Sequence, residues 1–175
     1  MITGVLSGHS SRVKCVALSR DNSYVVSGYE DGTIIVHSTK TGIEAYRADN
    51  VFAGGEVYGL CYLLDGSGFV ACGWDDLKVF SPSLELLQTL VGHVGEVWCV
   101  TISPSGSHLA SAGDDGKVMI WSEPGEGSEW ARVQVLEDHT SSICAVCFSP
   151  DGKQLATGGY DRLIKTYSFN EGSAI

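Results

Sequence analysis

Residues 90–122 read LVGHVGEVWCVTISPSGSHLASAGDDGKVMIWS, and this stretch decides the fold. It holds three short apolar runs, separated first by a turn containing Pro and Gly and then by a turn containing Asp and Gly. Short apolar runs bounded by such turn residues are typical of β-strands joined by tight turns. The stretch therefore predicts a small antiparallel sheet.

The same pattern recurs along the chain. Clear copies begin at Leu6 and Leu136, and a weaker copy spans residues 53–81. The residues that open the first strand of each copy are separated by 44, 40 and 46 residues, and these residues are Val13, Val57, Val97 and Ile143. A repeat of about 40–45 residues is the period of one blade of a β-propeller. The copies cover most of the 175 residues, so the repeat predicts the fold itself.

Composition narrows the classes of function. The chain has 11 Lys and Arg against 21 Asp and Glu, for a net charge of -10. Nucleic-acid binding draws on clustered basic residues, so this charge disfavours a nucleic-acid partner. No run approaches the ~20 apolar residues of a membrane helix, and the start MITGVLSGHS lacks the features of a secretory leader. We therefore predict a cytoplasmic protein that is not embedded in a membrane.

The reactive residue types show no cofactor pattern. The six Cys fall mostly inside apolar strand patterns, and we predict that they are reduced core residues. The five His are dispersed and give no metal-ligand spacing. Neither a Gly-rich phosphate loop nor a nucleophile elbow is present. We predict no metal, no cofactor and no catalytic residue.

The repeats resemble the WD-repeat family of β-propellers, most clearly in the third copy through Gly92-His93 and Ile120-Trp121. The resemblance implies an all-β fold in which each blade is a four-stranded antiparallel sheet. We expect a single propeller unit, residues 1–175, with blades at about 7–47, 48–90, 91–136 and 137–175 and an additional outer strand at 1–6.

The resemblance also implies a hydrogen-bonded tetrad of His, Ser or Thr, Asp and a ring residue inside each blade. Such a network would satisfy buried polar groups and hold the strands in register. The combination of His, Ser or Thr, and Asp recurs at the period of the fold, whereas a catalytic triad occurs once, so we interpret these residues as structural. The tetrad candidates are His9, Ser27 and Asp31, with His37 in the ring position; His93, Ser111, Asp115 and Trp121; and His139, Thr157 and Asp161, with Tyr167 in the ring position.

The second copy departs from this pattern. Ala53 stands in the His position, Cys72 replaces Ser, and the turn at Gly73-Trp74-Asp75-Asp76 is one residue shorter. We expect this blade to lack the full tetrad and to be less stable than the others.

Four blades leave the ring incomplete, since closed WD-repeat rings generally have more. Three solutions stay open: two chains forming an eight-bladed homodimer, a different protein that completes the propeller, or a closed four-bladed monomer. The chain could also be a fragment of a longer propeller. An uncovered half-ring would expose apolar blade faces.

In WD-repeat proteins partners often dock on the face formed by the loops before the inner strands and by the Asp-containing turns. We call this the loop face, and its candidate partner-binding residues are Arg12, Lys14, Glu56, Tyr58, Trp74, Glu96, Trp98, Asp114 and Tyr160. Tyr, Trp and Arg are the residue types that anchor protein interfaces. We therefore predict a non-catalytic scaffold or adaptor that binds proteins or peptides. The alternative is a ligand-sensing or enzymatic propeller that uses the central channel.

Overall fold

The computed structural model describes residues 4–8, 10–123 and 129–170. This part of the chain contains strands and turns and no helix, which confirms the predicted all-β class. Blade 1 is an antiparallel four-stranded sheet in the order β1-β2-β3-β4. Its strands are β1 (Val13–Leu18), β2 (Tyr24–Tyr29), β3 (Ile34–Ser38) and β4 (Glu44–Ala48).

Blades 2 and 3 share one strand and form a single seven-stranded sheet. Residues 86–96 of β8 pair with β7, whereas residues 97–102 of the same strand pair with β9. The outer strand of one blade thus runs on as the inner strand of the next. The strands are β5 (Gly59–Tyr62), β6 (Phe69–Cys72), β7 (Trp74–Phe80), β8 (Leu86–Ile102), β9 (His108–Gly113), β10 (Val118–Ser122) and β11 (Ala131–Leu136).

Blade 4 has three strands in the described residues, in the order β12-β13-β14. They are β12 (Ile143–Phe148), β13 (Gln154–Gly159) and β14 (Ile164–Ser168). Residues 4–6 of the predicted outer strand 1–6 form no strand, and residues 1–3 lie outside the described part. Residues 6–8 instead lie against blade 1, where Arg47 donates a hydrogen bond of 3.0 Å to the carbonyl of Gly8.

The core lies between neighbouring blades. One apolar cluster joins blades 1 and 2, another joins blades 2 and 3, and another joins blades 3 and 4. Blades 2 and 3 each contribute alternate residues to the clusters on their two faces, as expected for strands whose side chains point to opposite sides of the sheet. The fully buried side chains include Ile34, Phe69, Leu109 and Leu155.

A β-bulge recurs just after the residue that opens an inner strand. The pairing register shifts between Val13 and Cys15, between Val97 and Cys99, and between Ile143 and Ala145. A bulge inserts one residue and redirects its side chain. Lys14 and Trp98, both candidates for the loop face, are the inserted residues of two of these bulges.

Candidate functional site

The third blade brings all four predicted tetrad residues together. Trp121 Nε1 donates to Ser111 Oγ at 2.8 Å, and Ser111 Oγ lies 2.8 Å from His93 Nε2. His93 Nδ1 lies 2.9 Å from Asp115 Oδ2. Because indole is only a donor and an ionised carboxylate only an acceptor, the chain runs in one direction, with His93 carrying its proton on Nδ1.

The pKa of Asp115 agrees with its role as the final acceptor of this hydrogen-bonded chain. Burial of the carboxylate acts to raise its pKa, but hydrogen bonds from His93 and from the backbone N–H groups of Lys117 and Val94 outweigh burial. The pKa of Asp115 is therefore lower than usual. The ionised carboxylate fixes the turn through the Lys117 N–H at 3.1 Å while it holds the imidazole.

Blade 4 repeats three members of this network. His139 Nδ1 lies 2.7 Å from Asp161 Oδ2, and His139 Nε2 lies 2.7 Å from Thr157 Oγ1. Hydrogen bonds from His139 and from two backbone N–H groups lower the pKa of Asp161, although desolvation opposes them. Tyr167, in the ring position, packs against the cluster between blades 3 and 4, and burial raises its pKa.

Blade 1 uses different contacts around its Ser. Ser27 Oγ lies 2.8 Å from the hydroxyl of Tyr29, which stands where blades 3 and 4 have Gly. His37 Nε2 lies 3.3 Å from the carbonyl of Ser7, and Asp31 accepts a hydrogen bond of 3.0 Å from the N–H of Thr33. His9, predicted as the fourth member, lies outside the described residues.

Blade 2 fills the position of the tetrad with an aromatic and a cation. The ring of Phe52 is buried, and Lys78 Nζ lies 4.9 Å from the ring centroid. The same ammonium donates to the carbonyl of Val51 at 2.6 Å. Ala53 adopts a left-handed conformation with φ of 46°. The prediction that Cys72 stands in the Ser position is wrong, because Ala71 pairs with Leu60 as Ser111 pairs with Val100, and Cys72 is buried on the opposite face of the sheet.

The loop face gathers several of its predicted residues into a chain of contacts across blades. Tyr58 of blade 2 donates to Glu96 Oε1 of blade 3 at 2.5 Å, and Trp98 Nε1 donates to Glu96 Oε2 at 3.2 Å. Trp98 stacks against Tyr58 with ring centroids 6.4 Å apart, and Tyr160 of blade 4 meets Trp98 edge to face at 5.4 Å. Burial and the hydrogen bond to Glu96 raise the pKa of Tyr58, so its hydroxyl stays a donor.

Arg12 and Lys14, the two cationic candidates of the loop face, both lie on blade 1 and both form ion pairs. Lys14 Nζ lies 2.6 Å from Glu56 Oε2 and 5.4 Å from the centroid of the Tyr58 ring. Arg12 forms an exposed ion pair with Glu30 at 3.2 Å. Glu96 and Asp114, in contrast, lie on blade 3, and the negative charges of both act to raise the pKa of Tyr58.

Trp74 lies apart from this aromatic chain. It opens β7 opposite Glu96, and its side chain is 54% exposed. Within the described residues, Trp74 makes no ring contact with Tyr58, Trp98 or Tyr160. The loop face therefore has one aromatic cluster of three rings and a separate exposed indole.

Two clefts lie at the opposite end of the strands, with volumes of about 750 and 540 Å³. Turn residues line them, among them Leu64, Asp65 and Arg20, which donates a hydrogen bond of 2.9 Å to the Leu64 carbonyl. Across residues 4–8, 10–123 and 129–170, no cluster of His, Cys, Asp and Glu is arranged to hold a metal ion. In the same residues no helix is long and apolar enough to cross a bilayer.

The prediction that the cysteines belong to the core is wrong for two of them. Burial raises the pKa of Cys15, Cys61 and Cys99 to about 12. Cys144 and Cys147 are instead exposed on strand β12 of blade 4, where Cys144 is the inserted residue of the bulge between Ile143 and Ala145. All six thiols are free.

Comparison with known proteins agrees with this architecture. The sequence profile described as "WD domain, G-beta repeat" matches residues 2–38, 84–122 and 130–168, which together make up more than half of the chain. The chain therefore belongs to the WD-repeat family, as its sequence predicted. The matched ranges leave out residues 39–83, which contain the divergent second copy.

Individual relatives are similar over parts of the chain. Protein transport protein SEC13 of Coccidioides immitis (strain RS) is 41% identical over 78 residues, covering 39% of this chain and 26% of that protein. Small ribosomal subunit protein RACK1y of Oryza sativa subsp. japonica is 30% identical over 130 residues, covering 70% and 38%. BEACH domain-containing protein B of Arabidopsis thaliana is 32% identical over 119 residues, covering 67% and 4%. The chain thus spans less than two fifths of each relative.

Proposed function

We propose that this chain is a non-catalytic scaffold that binds a basic segment of a partner protein on the loop face. The relatives with WD repeats suggest a role in protein interaction. The single observation that carries the proposal is the contact chain from Tyr58 through Glu96 and Trp98 to Tyr160.

The aromatic cluster has the properties of an interface anchor. Glu96 accepts hydrogen bonds from both Tyr58 and Trp98, so the two side chains lose little conformational freedom when a partner binds. Tyr160 is 60% exposed at the edge of the cluster. Rigid, partly exposed aromatic side chains supply contact area at low entropic cost, and Tyr and Trp are enriched among binding hot spots.

The charges of the loop face indicate the chemistry of the partner. Arg12 and Lys14 are already paired with Glu30 and Glu56, whereas Glu96 and Asp114 leave the aromatic cluster negatively charged. A Lys or Arg side chain of the partner would be attracted to these carboxylates and to the faces of the aromatic rings. A basic, extended peptide therefore fits this surface best.

The test is binding of a peptide library containing Lys and Arg to the wild type and to Trp98→Ala and Tyr160→Ala, with Tyr46→Ala as a matched control. Tyr46 is an exposed aromatic on the outer strand of blade 1. Loss of a hot spot of at least ~2 kcal/mol corresponds to about 30-fold weaker binding. We expect that loss for the two loop-face variants and none for the control. Equal binding by all four proteins, each melting like the wild type, would refute the loop face as the binding site.

A further inference from the structure

Two ammonium groups of the described residues lie over aromatic rings, and each of them also contacts an oxygen atom. Lys14 Nζ lies 5.4 Å from the centroid of the Tyr58 ring and 2.6 Å from Glu56 Oε2. Lys78 Nζ lies 4.9 Å from the centroid of the Phe52 ring and donates to a backbone carbonyl at 2.6 Å. An unmodified ammonium carries three N–H donors and is strongly hydrated, so it leaves water at low cost only where oxygen atoms accept those donors.

The aromatic cluster of Tyr58, Trp98 and Tyr160 offers a cation a negative charge but few free acceptors. Glu96 Oε1 already accepts a hydrogen bond from the Tyr58 hydroxyl, and Glu96 Oε2 accepts one from the Trp98 indole. Asp114 is exposed, and an ion pair in contact with water contributes little to binding. A cation that enters the cluster therefore gains the charge of Glu96 and the faces of the rings, but few new hydrogen bonds.

Trp98 and Tyr160 form an aromatic corner on the loop face. Their ring planes meet at 88°, and the ring centroids lie 5.4 Å apart. Two perpendicular rings at this separation can both face one cation within the ~6 Å over which an aromatic ring attracts it. Tyr160 is 60% exposed, so a ligand reaches the corner from solvent. The hydrogen bond to Glu96 holds Trp98 in place before the ligand arrives, which lowers the entropic cost of binding.

We infer that the corner between Trp98 and Tyr160 binds a trimethylated lysine of the partner segment. The inference rests on the proposed function, since it names which basic side chain the loop face selects. Methylation keeps the positive charge of lysine but removes its N–H donors. Trimethyllysine therefore enters the corner without losing hydrogen bonds to water, and aromatic faces are suited to quaternary ammonium groups. Arginine keeps five N–H donors and is disfavoured for the same reason as unmodified lysine.

The experiment measures binding of the 175-residue chain to one peptide library prepared with four different residues at a fixed central position. These residues are lysine, trimethyllysine, arginine and the neutral isostere of trimethyllysine, in which carbon replaces the quaternary nitrogen. Fluorescence anisotropy of the tightest-binding sequence gives the dissociation constant of each of its four forms. We expect the trimethyllysine form to bind about ten-fold more tightly than any of the other three.

Substitutions of Tyr160 separate the effect of the cation from apolar contact. Tyr160→Leu keeps an apolar side chain but removes the ring, so the preference for trimethyllysine over the isostere should shrink by at least about three-fold. Tyr160→Phe keeps the ring and should keep the preference. Tyr46→Leu is the matched control, because Tyr46 is an exposed aromatic on the outer strand of blade 1, and it should leave all four dissociation constants unchanged. Tyr160 is exposed, so its variants should melt like the wild type.

The results that contradict this inference differ from those that contradict the scaffold function. If trimethyllysine binds no more tightly than lysine or arginine, the inference is overturned, and the scaffold function stands provided that Trp98→Ala weakens binding. An isostere that binds as tightly as trimethyllysine overturns the inference by assigning the corner to apolar contact. Binding to phosphatidylcholine vesicles but to no peptide overturns it by assigning the corner to a lipid headgroup. Failure of every library to bind refutes the scaffold function as well.

Discussion

Replacing Asp115 by Ala tests the tetrad of blade 3. The carboxylate accepts hydrogen bonds from His93 Nδ1 at 2.9 Å, from the N–H of Lys117 at 3.1 Å and from the N–H of Val94 at 3.3 Å. Val94 is exposed, so water replaces the lost acceptor there. The His93 side chain is only 1% exposed, and its N–H would lose its partner inside the protein.

The expected loss of folding free energy in Asp115→Ala follows from the buried N–H of His93. Leaving a buried donor without an acceptor costs about 1–3 kcal/mol. For a domain of this length, each kcal/mol lowers the melting temperature by about 2–4 °C, so Asp115→Ala should lower it by about 2–12 °C. The assay is thermal unfolding followed by circular dichroism.

A neighbouring carboxylate provides the control. Asp114 is exposed, and Asp114→Ala removes the same charge without removing the acceptor of His93. Surface substitutions of this kind change stability by about 0.5 kcal/mol or less. If the two variants melt at the same temperature as each other, the reasoning that the tetrad stabilises blade 3 is refuted.

Other predictions follow from the polar network and from one strained turn. Asp115→Asn should be less stable than the wild type near neutral pH, and the difference should shrink as the pH falls below about 4, because a carboxylate with a lowered pKa stabilises the fold only while it is ionised; urea unfolding at several pH values measures this. Thr157→Val should cost about 1–3 kcal/mol in urea unfolding, since it leaves Nε2 of the buried His139 without its hydroxyl donor. Arg162→Gly should raise stability by about 0.5–1 kcal/mol, because Arg162 has φ of 66° where the equivalent turns of blades 1 and 3 have Gly; an unchanged or lower urea midpoint would contradict the strain.

Much of the fold could be predicted because the turns repeat their chemistry. The hairpin between the first two strands of each copy has a residue with positive φ at the same position, and that residue is Asn or Gly in every copy: Asn22, Gly66, Gly106 and Gly152. Such residues adopt this conformation at little cost, so the sequence marks the turns. The predicted strand order within each blade follows from them.

The continuity of β8 could not be predicted. Gly92 and Gly95 interrupt the apolar run between blades 2 and 3, and the sequence there indicates a loop. Pairing of Trp74 with Glu96 extends the strand through this region, and Asp75 accepts a hydrogen bond of 2.5 Å from the N–H of Gly95. These are tertiary contacts made by the shortened turn of blade 2, and the local sequence pattern around Gly92 and Gly95 does not indicate them.

The candidate site was predictable in its residue types but not in its pairing. The sequence placed Tyr58, Trp98 and Glu96 on one face from their positions beside the strand-opening residues. That both ring donors share the carboxylate of Glu96 depends on the recurring bulge and on the spacing of adjacent blades. In blade 1, Tyr29 occupies a position that is Gly in two other copies, and this difference was the one signal of its hydroxyl contact with Ser27.

The shared strand Leu86–Ile102 affects how the protein unfolds locally. Blade 2 cannot release its outer strand without pulling on the inner strand of blade 3, because both are one hydrogen-bonded ribbon. Repeat arrays usually open one unit at a time according to local stability. Here the divergent blade 2 is tied to the tetrad of blade 3, so amide hydrogens of β7 and β9 should exchange with solvent in a single cooperative event.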